Sequence, residues 1–230
     1  MPEEAIVLVG GQGTRLRSVV SDVPKPLAQV AGKPFLCRLL DRLVADGMTH
    51  IVLASGYMAE KIQATIGNEW RGVEITHVIE EYPLGTGGAL RNAAAALHSD
   101  AGVHVFNGDT WLEYSPAALR ETVINHGAAI GMALARVDDV GRYGAVRLQG
   151  EQVTGFEEKG GRGAGYINAG CYFISAAALV AMQIEPPFSF EEKILRPACL
   201  AGKVVALTQS RGFIDIGVPE DYQRAQELFS

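Results

Sequence analysis

Short apolar runs alternate with helix-like segments along the first half of the chain, and this alternation constrains the fold more than any other feature. Residues 5–9, 50–54 and 73–79 are runs of strand length rich in apolar or β-branched side chains, a pattern typical of strands buried within a sheet. Residues 35–44 and 59–66 repeat apolar side chains at helical spacing. The β-α-β order predicts an α/β fold with a Rossmann-like, mixed and mostly parallel sheet flanked by helices.

The rest of the sequence continues this pattern with shorter elements. Residues 84–97 predict an alanine-rich helix, and residues 102–106 predict a fourth strand that ends before Asn107. Further strands are predicted at 128–135, 145–148, 152–156 and 166–174, and further helices at 191–201 and 220–229. No internal repeat, low-complexity tract or linker interrupts the sequence. We therefore expect a single domain over residues 1–230, with a small substrate-binding lobe in its second half.

Composition excludes several classes of protein. Hydrophobic residues make up 48% of the 230 residues, yet no stretch approaches the roughly 20 apolar residues of a membrane span. The acidic start, Met1-Pro2-Glu3-Glu4, is unlike a secretory signal. We therefore expect a cytoplasmic protein without a membrane partner. The net charge of −6 argues against nucleic acid as the main partner, because nucleic-acid binding usually requires a basic face.

The three cysteines, Cys37, Cys171 and Cys199, are far apart and have apolar neighbours. This placement favours buried core residues over a disulfide framework or a zinc site. The five histidines show no metal-ligand spacing, so we predict none of them as a base.

A glycine-rich segment follows the first predicted strand. Gly10, Gly11 and Gly13 allow a sharp turn and bring backbone N–H groups close to a ligand, which suits phosphate. Two common phosphate-binding motifs do not match. The dinucleotide fingerprint requires glycine where Leu16 stands, and the Gly-Lys-Ser/Thr of the Walker loop is absent.

The glycine loop continues as Gly-Thr-Arg-Leu, and Pro24-Lys25-Pro26-Leu27 follows ten residues after Arg15. This paired signature resembles that of the sugar-1-phosphate nucleotidyltransferases. The resemblance implies that the glycines wrap a nucleoside triphosphate whose charge Arg15 and Lys25 offset. It divides the chain into a nucleotide-binding half, about residues 1–127, and a sugar-binding half, about residues 128–230.

Further segments extend the resemblance over most of the chain. Residues 80–89, with the sequence Glu-Glu-Tyr-Pro-Leu-Gly-Thr-Gly-Gly-Ala, resemble the base-binding loop of the family, although Thr86 could simply cap a helix. Together the segments place the nucleotide at Leu8, Gly10, Gly11, Gly13, Thr14, Arg15, Lys25, Glu80, Pro83, Gly85, Thr86 and Asp109.

Two aspartates resemble the metal ligands of the family. Asp109 closely follows the fourth predicted strand, and Asp215 lies in Phe213-Ile214-Asp215-Ile216-Gly217. Two carboxylates favour Mg²⁺, which prefers few carboxylates together with phosphate oxygens and water. An aspartate after a strand is otherwise usually a turn residue.

The sugar side is marked by residues 142–144, 156–159 and 167–170, in the order that the family uses. The resemblance implies that Lys159 holds the sugar phosphate, that Glu158 bonds sugar hydroxyls, and that Gly144 and Asn168 also contact the sugar phosphate. The alternative for Glu158 and Lys159 is an exposed hairpin tip.

Within the family, the short length and the variant of residues 80–88 most resemble guanylyltransferases that act on D-glycero-α-D-manno-heptose 1-phosphate. Thymidylyl members carry glutamine where this chain has Glu80. A carboxylate only accepts hydrogen bonds, and guanine offers two adjacent donors. GTP is therefore the expected donor, unless Glu81 or backbone groups read the base instead. Larger members continue into a β-helix of hexapeptide repeats, and since the sequence ends at Ser230 without one, we expect no acetyltransferase activity.

The reaction implied is in-line transfer of GMP to a sugar 1-phosphate, with release of pyrophosphate. Arg15, Lys25, Asp109 and Asp215 are the expected catalytic residues, acting by position and charge. Three alternatives stay open: mannose 1-phosphate as the acceptor, UTP or dTTP as the donor, and a non-catalytic protein that binds nucleotide sugars. A nicotinamide oxidoreductase is a weaker alternative. The sequence does not set the number of subunits, and a homodimer is one open assembly.

Overall fold

The computed structural model describes residues 3–11, 22–157 and 159–230. Gly13, Thr14 and Arg15, which carry much of the predicted phosphate loop, lie outside these ranges, as does Glu158. Their predicted roles therefore rest on the sequence alone.

The strands of the described chain are short, and most belong to one large sheet. They are β1 (Glu3–Leu8), β2 (Gln29–Val30), β3 (Lys33–Pro34), β4 (Met48–Ser55), β5 (Glu69–Trp70), β6 (Val73–Ile79), β7 (Val103–Asn107), β8 (Thr110–Glu113), β9 (Ile130–Val137), β10 (Val146–Gln149), β11 (Gln152–Phe156), β12 (Gly165–Ile174), β13 (Val204–Leu207) and β14 (Arg211–Asp215).

Helices connect many of these strands, and several of them pack against the main sheet. The α-helices are α1 (Phe35–Ala45), α2 (Ala59–Ile66), α3 (Gly85–Ala94), α4 (Pro116–His126), α5 (Ala176–Val180), α6 (Arg196–Leu200) and α7 (Pro219–Leu228). A 3-10 turn covers Lys25–Leu27, and a π-helix covers Glu191–Leu195. Within the described part of the chain, no helix is both long enough and apolar enough to span a lipid bilayer.

The main sheet has the strand order β10-β11-β13-β9-β12-β7-β1-β4-β6-β5. Strands β7, β1, β4 and β6 run parallel to their neighbours in this group, whereas β12 is antiparallel to both β7 and β9. The α/β prediction is confirmed, with a mixed sheet whose parallel part contains the first strands. Carboxyl ends of parallel strands meet at one edge of a sheet, where ligands usually bind.

Burial explains why the central strands form. Ala5, Ile6 and Val7 are fully buried, because hydrophobic clusters cover both faces of the sheet. On one face, α1 packs with its apolar stripe, which includes Leu36 and Leu40, towards the core. Burial of such side chains contributes about 1.5–3 kcal/mol each, so this part of the sheet is a rigid support for the loops that follow it.

Several predicted boundaries agree with the structure. The bounds of α2, β6 and β11 match the predicted residues 59–66, 73–79 and 152–156. The single helix predicted at 191–201 is wrong in detail, because the segment begins as a π-helix and becomes α-helical only at Arg196. Pro197 has no backbone N–H, so a regular α-helical ladder cannot run through this position.

A small antiparallel ladder outside the main sheet was not predicted. Strand β14 pairs with β8, and Asp215 lies opposite Thr110. The backbone N–H of Ile216 also donates to the carbonyl oxygen of Asp109 at 3.0 Å. The ladder therefore brings the two aspartates together from distant parts of the chain.

Candidate active site

A cleft of about 660 Å³ lies at the carboxyl ends of the parallel strands. Every predicted nucleotide-binding residue in the described chain lines it: Leu8, Gly10, Gly11, Lys25, Glu80, Pro83, Gly85, Thr86 and Asp109. The structure thus gathers residues that the sequence spreads over a hundred positions. Their roles in binding stay predictions.

Lys25 is the charged centre of the cleft floor. Its Nζ lies 2.5 Å from Oδ2 of Asp109 and 3.5 Å from Oδ1 of Asp215. The side chain of Lys25 is only 10% exposed, and Lys25 is the first residue of the 3-10 turn Lys25–Leu27. One partly buried ammonium group therefore contacts both predicted metal ligands.

The Asp215 carboxyl group is partly buried. Burial raises the pKa of Asp215, the negative charge of Asp109 raises it further, and Lys25 opposes both effects. The N–H of Gly217 donates to Oδ1 of Asp215 at 2.7 Å. Such a carboxylate is favourable only beside a compensating cation, which indicates a site built for positive charge.

The donor set around Asp109 and Asp215 fits a magnesium ion. Asp109 directly precedes β8 and Asp215 ends β14, and Mg²⁺ typically takes one or two carboxylates together with phosphate oxygens and water. Gly217 keeps the space open, since a Cβ there would lie 2.7 Å from both Asp215 Oδ1 and Lys25 Nζ. A side chain at residue 217 would therefore occupy the space beside the Asp215 carboxylate and the Lys25 ammonium group.

Glu80 follows β6 and enters the cleft with a fixed orientation. Its backbone N–H donates to the carbonyl oxygen of Ser55 at 2.9 Å, and its Oε2 accepts from the N–H of Leu84 at 3.2 Å. Its side chain packs on Gly56, where a Cβ would lie 2.5 Å from Oε1. One hydrogen bond leaves most of the carboxylate lone pairs free to accept from a ligand.

The segment 186–190, which follows α5, supports the predicted base loop. The backbone N–H of Phe188 donates to the carbonyl oxygen of Leu84, and the carbonyl oxygen of Phe188 accepts from the N–H of Gly87, each at 3.0 Å. The N–H of Phe190 donates to Oγ1 of Thr86 at 3.0 Å. Thr86 therefore joins the loop to this segment, and it does not cap α3 through its side chain.

The predicted sugar-side residues that the structure describes, Gly144, Lys159 and Asn168, do not line this cleft. Lys159 is exposed. The backbone N–H of Gly144 donates to the carbonyl oxygen of Val140 at 2.9 Å. The Asn168 amide donates to the Tyr172 hydroxyl at 2.8 Å and accepts from the N–H of Gly170 at 3.1 Å. The described structure therefore gives Asn168 partners within its own strand.

A buried carboxylate anchors the loop that leads to Gly144. Asp221, in α7, is 1% exposed. It accepts from Arg142 at 2.5 Å, from the Tyr143 hydroxyl at 3.2 Å and from Arg224 at 2.7 Å. Although burial opposes its charge, these partners lower the pKa of Asp221 overall. The loop is therefore tied to the helix that follows Asp215.

Sequence reasoning assigned no role to several residues that line the cleft, among them Gly56, Tyr57 and Asn107. Gly56 and Tyr57 follow β4, and Asn107 ends β7. The signal was present for Gly56, because a glycine after a buried parallel strand marks a close backbone approach. In the sequence, Asn107 stands out only as the residue that follows the fourth predicted strand.

Comparison with known proteins identifies the family. A family model described as nucleotidyl transferase matches residues 4–229. The chain belongs to the nucleotidyl transferase family. This confirms the resemblance inferred from the motifs.

Individual members of the nucleotidyl transferase family are similar over nearly the whole chain. The D-glycero-α-D-manno-heptose 1-phosphate guanylyltransferase of Aneurinibacillus thermoaerophilus is 38% identical over 224 residues, 97% of each protein. The mannose-1-phosphate guanylyltransferase of Mycobacterium tuberculosis is 36% identical over 96% of this chain, which covers 63% of that protein. The crystal structure of HddC from Yersinia pseudotuberculosis complexed with GMP-PN matches with a TM-score of 0.87 and 36% identity, covering 99% of this chain and 100% of that chain.

Proposed function

We propose that the protein transfers the GMP moiety of GTP to D-glycero-α-D-manno-heptose 1-phosphate, giving GDP-heptose and pyrophosphate. The observation that carries this proposal is the cleft in which Lys25 contacts Asp109 and Asp215. Its lining agrees with the nucleotide-binding residues expected from the motifs. The near full-length similarity to a guanylyltransferase that acts on this heptose phosphate supports the choice of substrates.

The chemistry requires no protein nucleophile. A phosphate oxygen of the sugar 1-phosphate forms a bond to the α-phosphorus of GTP while the bond from that phosphorus to the bridging oxygen of pyrophosphate breaks. The attacking phosphate is already ionised at neutral pH, so the protein contributes position and charge stabilisation. The clustering of Lys25 with two carboxylates at one end of the cleft supports this kind of catalysis.

The proposed charge stabilisation is shared among several residues. Lys25 aligns the triphosphate, and Arg15 stabilises the charge that develops on the departing pyrophosphate. Lys159 aligns the acceptor phosphate from the other half of the chain. Asp109 and Asp215 would hold Mg²⁺, which neutralises phosphate charge when it is bound.

Glu80 is the proposed reader of guanine. Guanine presents the N1–H and the exocyclic amine side by side, and a carboxylate accepts two parallel hydrogen bonds from such a pair. The fixed orientation of Glu80 over Gly56 supports this role, because a restrained side chain loses little freedom on binding. Uracil and thymine present one donor between two carbonyl groups, which a carboxylate repels.

Mannose 1-phosphate is the second candidate acceptor. The similarity to a mannose-1-phosphate guanylyltransferase favours it, at an identity close to that of the heptose-specific relative. The two candidates share the donor, the metal and the catalytic residues, and they differ only in the sugar. The experiment must therefore vary the sugar.

The proposal is tested by incubating the purified protein with GTP, Mg²⁺ and each sugar 1-phosphate separately, and identifying products by mass spectrometry. GDP-heptose and one equivalent of pyrophosphate are expected from the heptose phosphate. An Asp109→Asn variant that is folded but inactive controls for contaminating enzymes. If the protein binds GDP-heptose but yields no pyrophosphate with any acceptor, it is a nucleotide-sugar-binding protein instead.

A further inference from the structure

Asn107 places an uncommitted amide group inside the cleft. It is the last residue of β7 and lines the cleft with Asp109, two residues further along. Within the described chain, its side chain makes no hydrogen bond. An amide offers two donors and one acceptor, so this group is available to a ligand.

The neighbouring strand is shaped to make room for the Asn107 amide. A Cβ at Gly170 would lie 2.2 Å from Nδ2 of Asn107 and 2.6 Å from its Cγ, closer than atoms can approach. Gly170 has a φ of +68°, which favours glycine. Only glycine therefore satisfies both the backbone conformation and the close approach at this position.

The conformation at Gly170 is held by Asn168. The register of β12 against β9 shifts between Asn168 and Cys171. The Asn168 amide bonds the N–H of Gly170 and the hydroxyl of Tyr172 across this bulge. Such bulges often aim a side chain or backbone at a functional site. Here the bulge places the backbone of Gly170, which has no side chain, against Asn107.

The position of Asn107 indicates which substrate its amide meets. Strand β7 lies between β1, which leads to the glycine loop, and β12, which belongs to the second half of the chain. Lys25 lies against Asp109, where the transferring phosphate is expected. A neutral amide beside a carboxylate suits hydroxyl groups, which both donate and accept, better than it suits phosphate.

We propose that Asn107 binds a hydroxyl group of the acceptor sugar and helps the protein to select its sugar 1-phosphate. This inference rests on the proposed function. Asn107 is thus a specificity residue that touches the substrate.

The test compares Asn107→Ala and Asn107→Ser with the wild-type protein. Steady-state kinetics would give KM for GTP and for heptose 1-phosphate, and calorimetry would give the Kd for heptose 1-phosphate in the presence of a non-hydrolysable GTP analogue. The control is Asn125→Ala, because Asn125 is exposed in α4. Thermal denaturation verifies that each variant is folded.

Asn107→Ala is expected to raise both KM and Kd for the sugar phosphate about tenfold, the usual effect of one lost hydrogen bond. KM for GTP should change less than about twofold, and Asn107→Ser, which keeps a hydroxyl, should recover part of the loss. Unchanged acceptor binding in both variants, or equal weakening of GTP and acceptor, overturns the role of Asn107. Wild-type protein that binds the acceptor without turnover contradicts the proposed function, whereas the Kd comparison still decides Asn107.

Discussion

Lys25 Nζ lies 2.5 Å from Asp109 Oδ2, although 84 residues separate the two in the sequence. Asp215 approaches the same ammonium group at 3.5 Å. The β8–β14 ladder fixes both aspartates, and the turn at Lys25–Leu27 fixes the lysine. A triphosphate with its metal would therefore meet charges that the fold has already placed, which is the condition for electrostatic catalysis.

Asp109→Asn and Asp215→Asn are expected to reduce turnover by about 100-fold or more. The amide keeps the shape of the carboxylate but loses the charge that would hold Mg²⁺. Pyrophosphate release at several Mg²⁺ concentrations is the measurement, with Asp100→Asn as a matched control, since Asp100 is exposed. Near-normal activity of Asp109→Asn at ordinary Mg²⁺ would remove this residue from the metal site.

Glu80→Gln is expected to erode the preference for GTP over UTP and dTTP by about 1–3 kcal/mol. The amide loses one acceptor oxygen opposite the two donors of guanine and gains a donor that suits a carbonyl group. The ratio of kcat/KM values for the three nucleotides measures the effect.

Glu81→Gln is the informative control for Glu80, because Glu81 also lines the cleft and is exposed. The preference of the Glu81→Gln variant for GTP over UTP and dTTP should match that of the wild type. A loss of preference in Glu81→Gln alone would transfer the role of base reader from Glu80 to its neighbour.

At the start of β1, away from the cleft, the buried carboxylate of Glu4 is the centre of a hydrogen-bonded cluster. Glu4 accepts hydrogen bonds from the N–H groups of His98 and Ser99, each at 2.8 Å, and from the Ser99 hydroxyl at 2.6 Å. His50 Nδ1 lies 2.7 Å from the same carboxylate. Four contacts occupy the lone pairs of the carboxylate, so the cluster ties β1 to the loop before β7.

Glu4→Gln is expected to lower the free energy of unfolding by about 1–3 kcal/mol at pH 7. Burial opposes the charge of Glu4, but its hydrogen bonds lower the pKa overall from the ordinary value of 4.5. The unfolded chain therefore takes up the proton first as the pH falls, and the stabilisation present above pH 4.5 is lost as the pH falls through the folded pKa.

Urea denaturation at pH 7 and at about pH 3 measures this dependence. The difference between wild type and Glu4→Gln should shrink at the lower pH. Glu121→Gln, at an exposed residue of α4, should match the wild type at both values. A difference that does not change with pH would show that the charge of Glu4 contributes nothing.

The central strands could be predicted because their signals are local. Residues 5–9 are a continuous apolar run, and β1 occupies nearly the same residues. The helix at 59–66 repeats apolar side chains at helical spacing and ends at Gly67, which has a φ of +72°. Burial and backbone conformation act here over a few neighbouring residues.

The β8–β14 ladder could not be predicted in this way. Thr110–Glu113 and Arg211–Asp215 are too short to show a period, and their pairing depends on contacts between distant parts of the chain. The resemblance named Asp109 and Asp215 as partners, but only the structure shows that backbone pairing unites them. Likewise, the hydrogen bonds of Asn168 depend on a bulge that the sequence pattern does not reveal.

The central claim is that the protein transfers GMP to a heptose 1-phosphate, and a matrix of kcat/KM values tests it most directly. GTP, ATP, UTP and dTTP would each be paired with heptose 1-phosphate, mannose 1-phosphate and glucose 1-phosphate, with pyrophosphate release as the readout. The account predicts the highest value for GTP with D-glycero-α-D-manno-heptose 1-phosphate. A higher value for UTP or dTTP would contradict guanylyl transfer, and a higher value for GTP with mannose 1-phosphate would contradict the heptose.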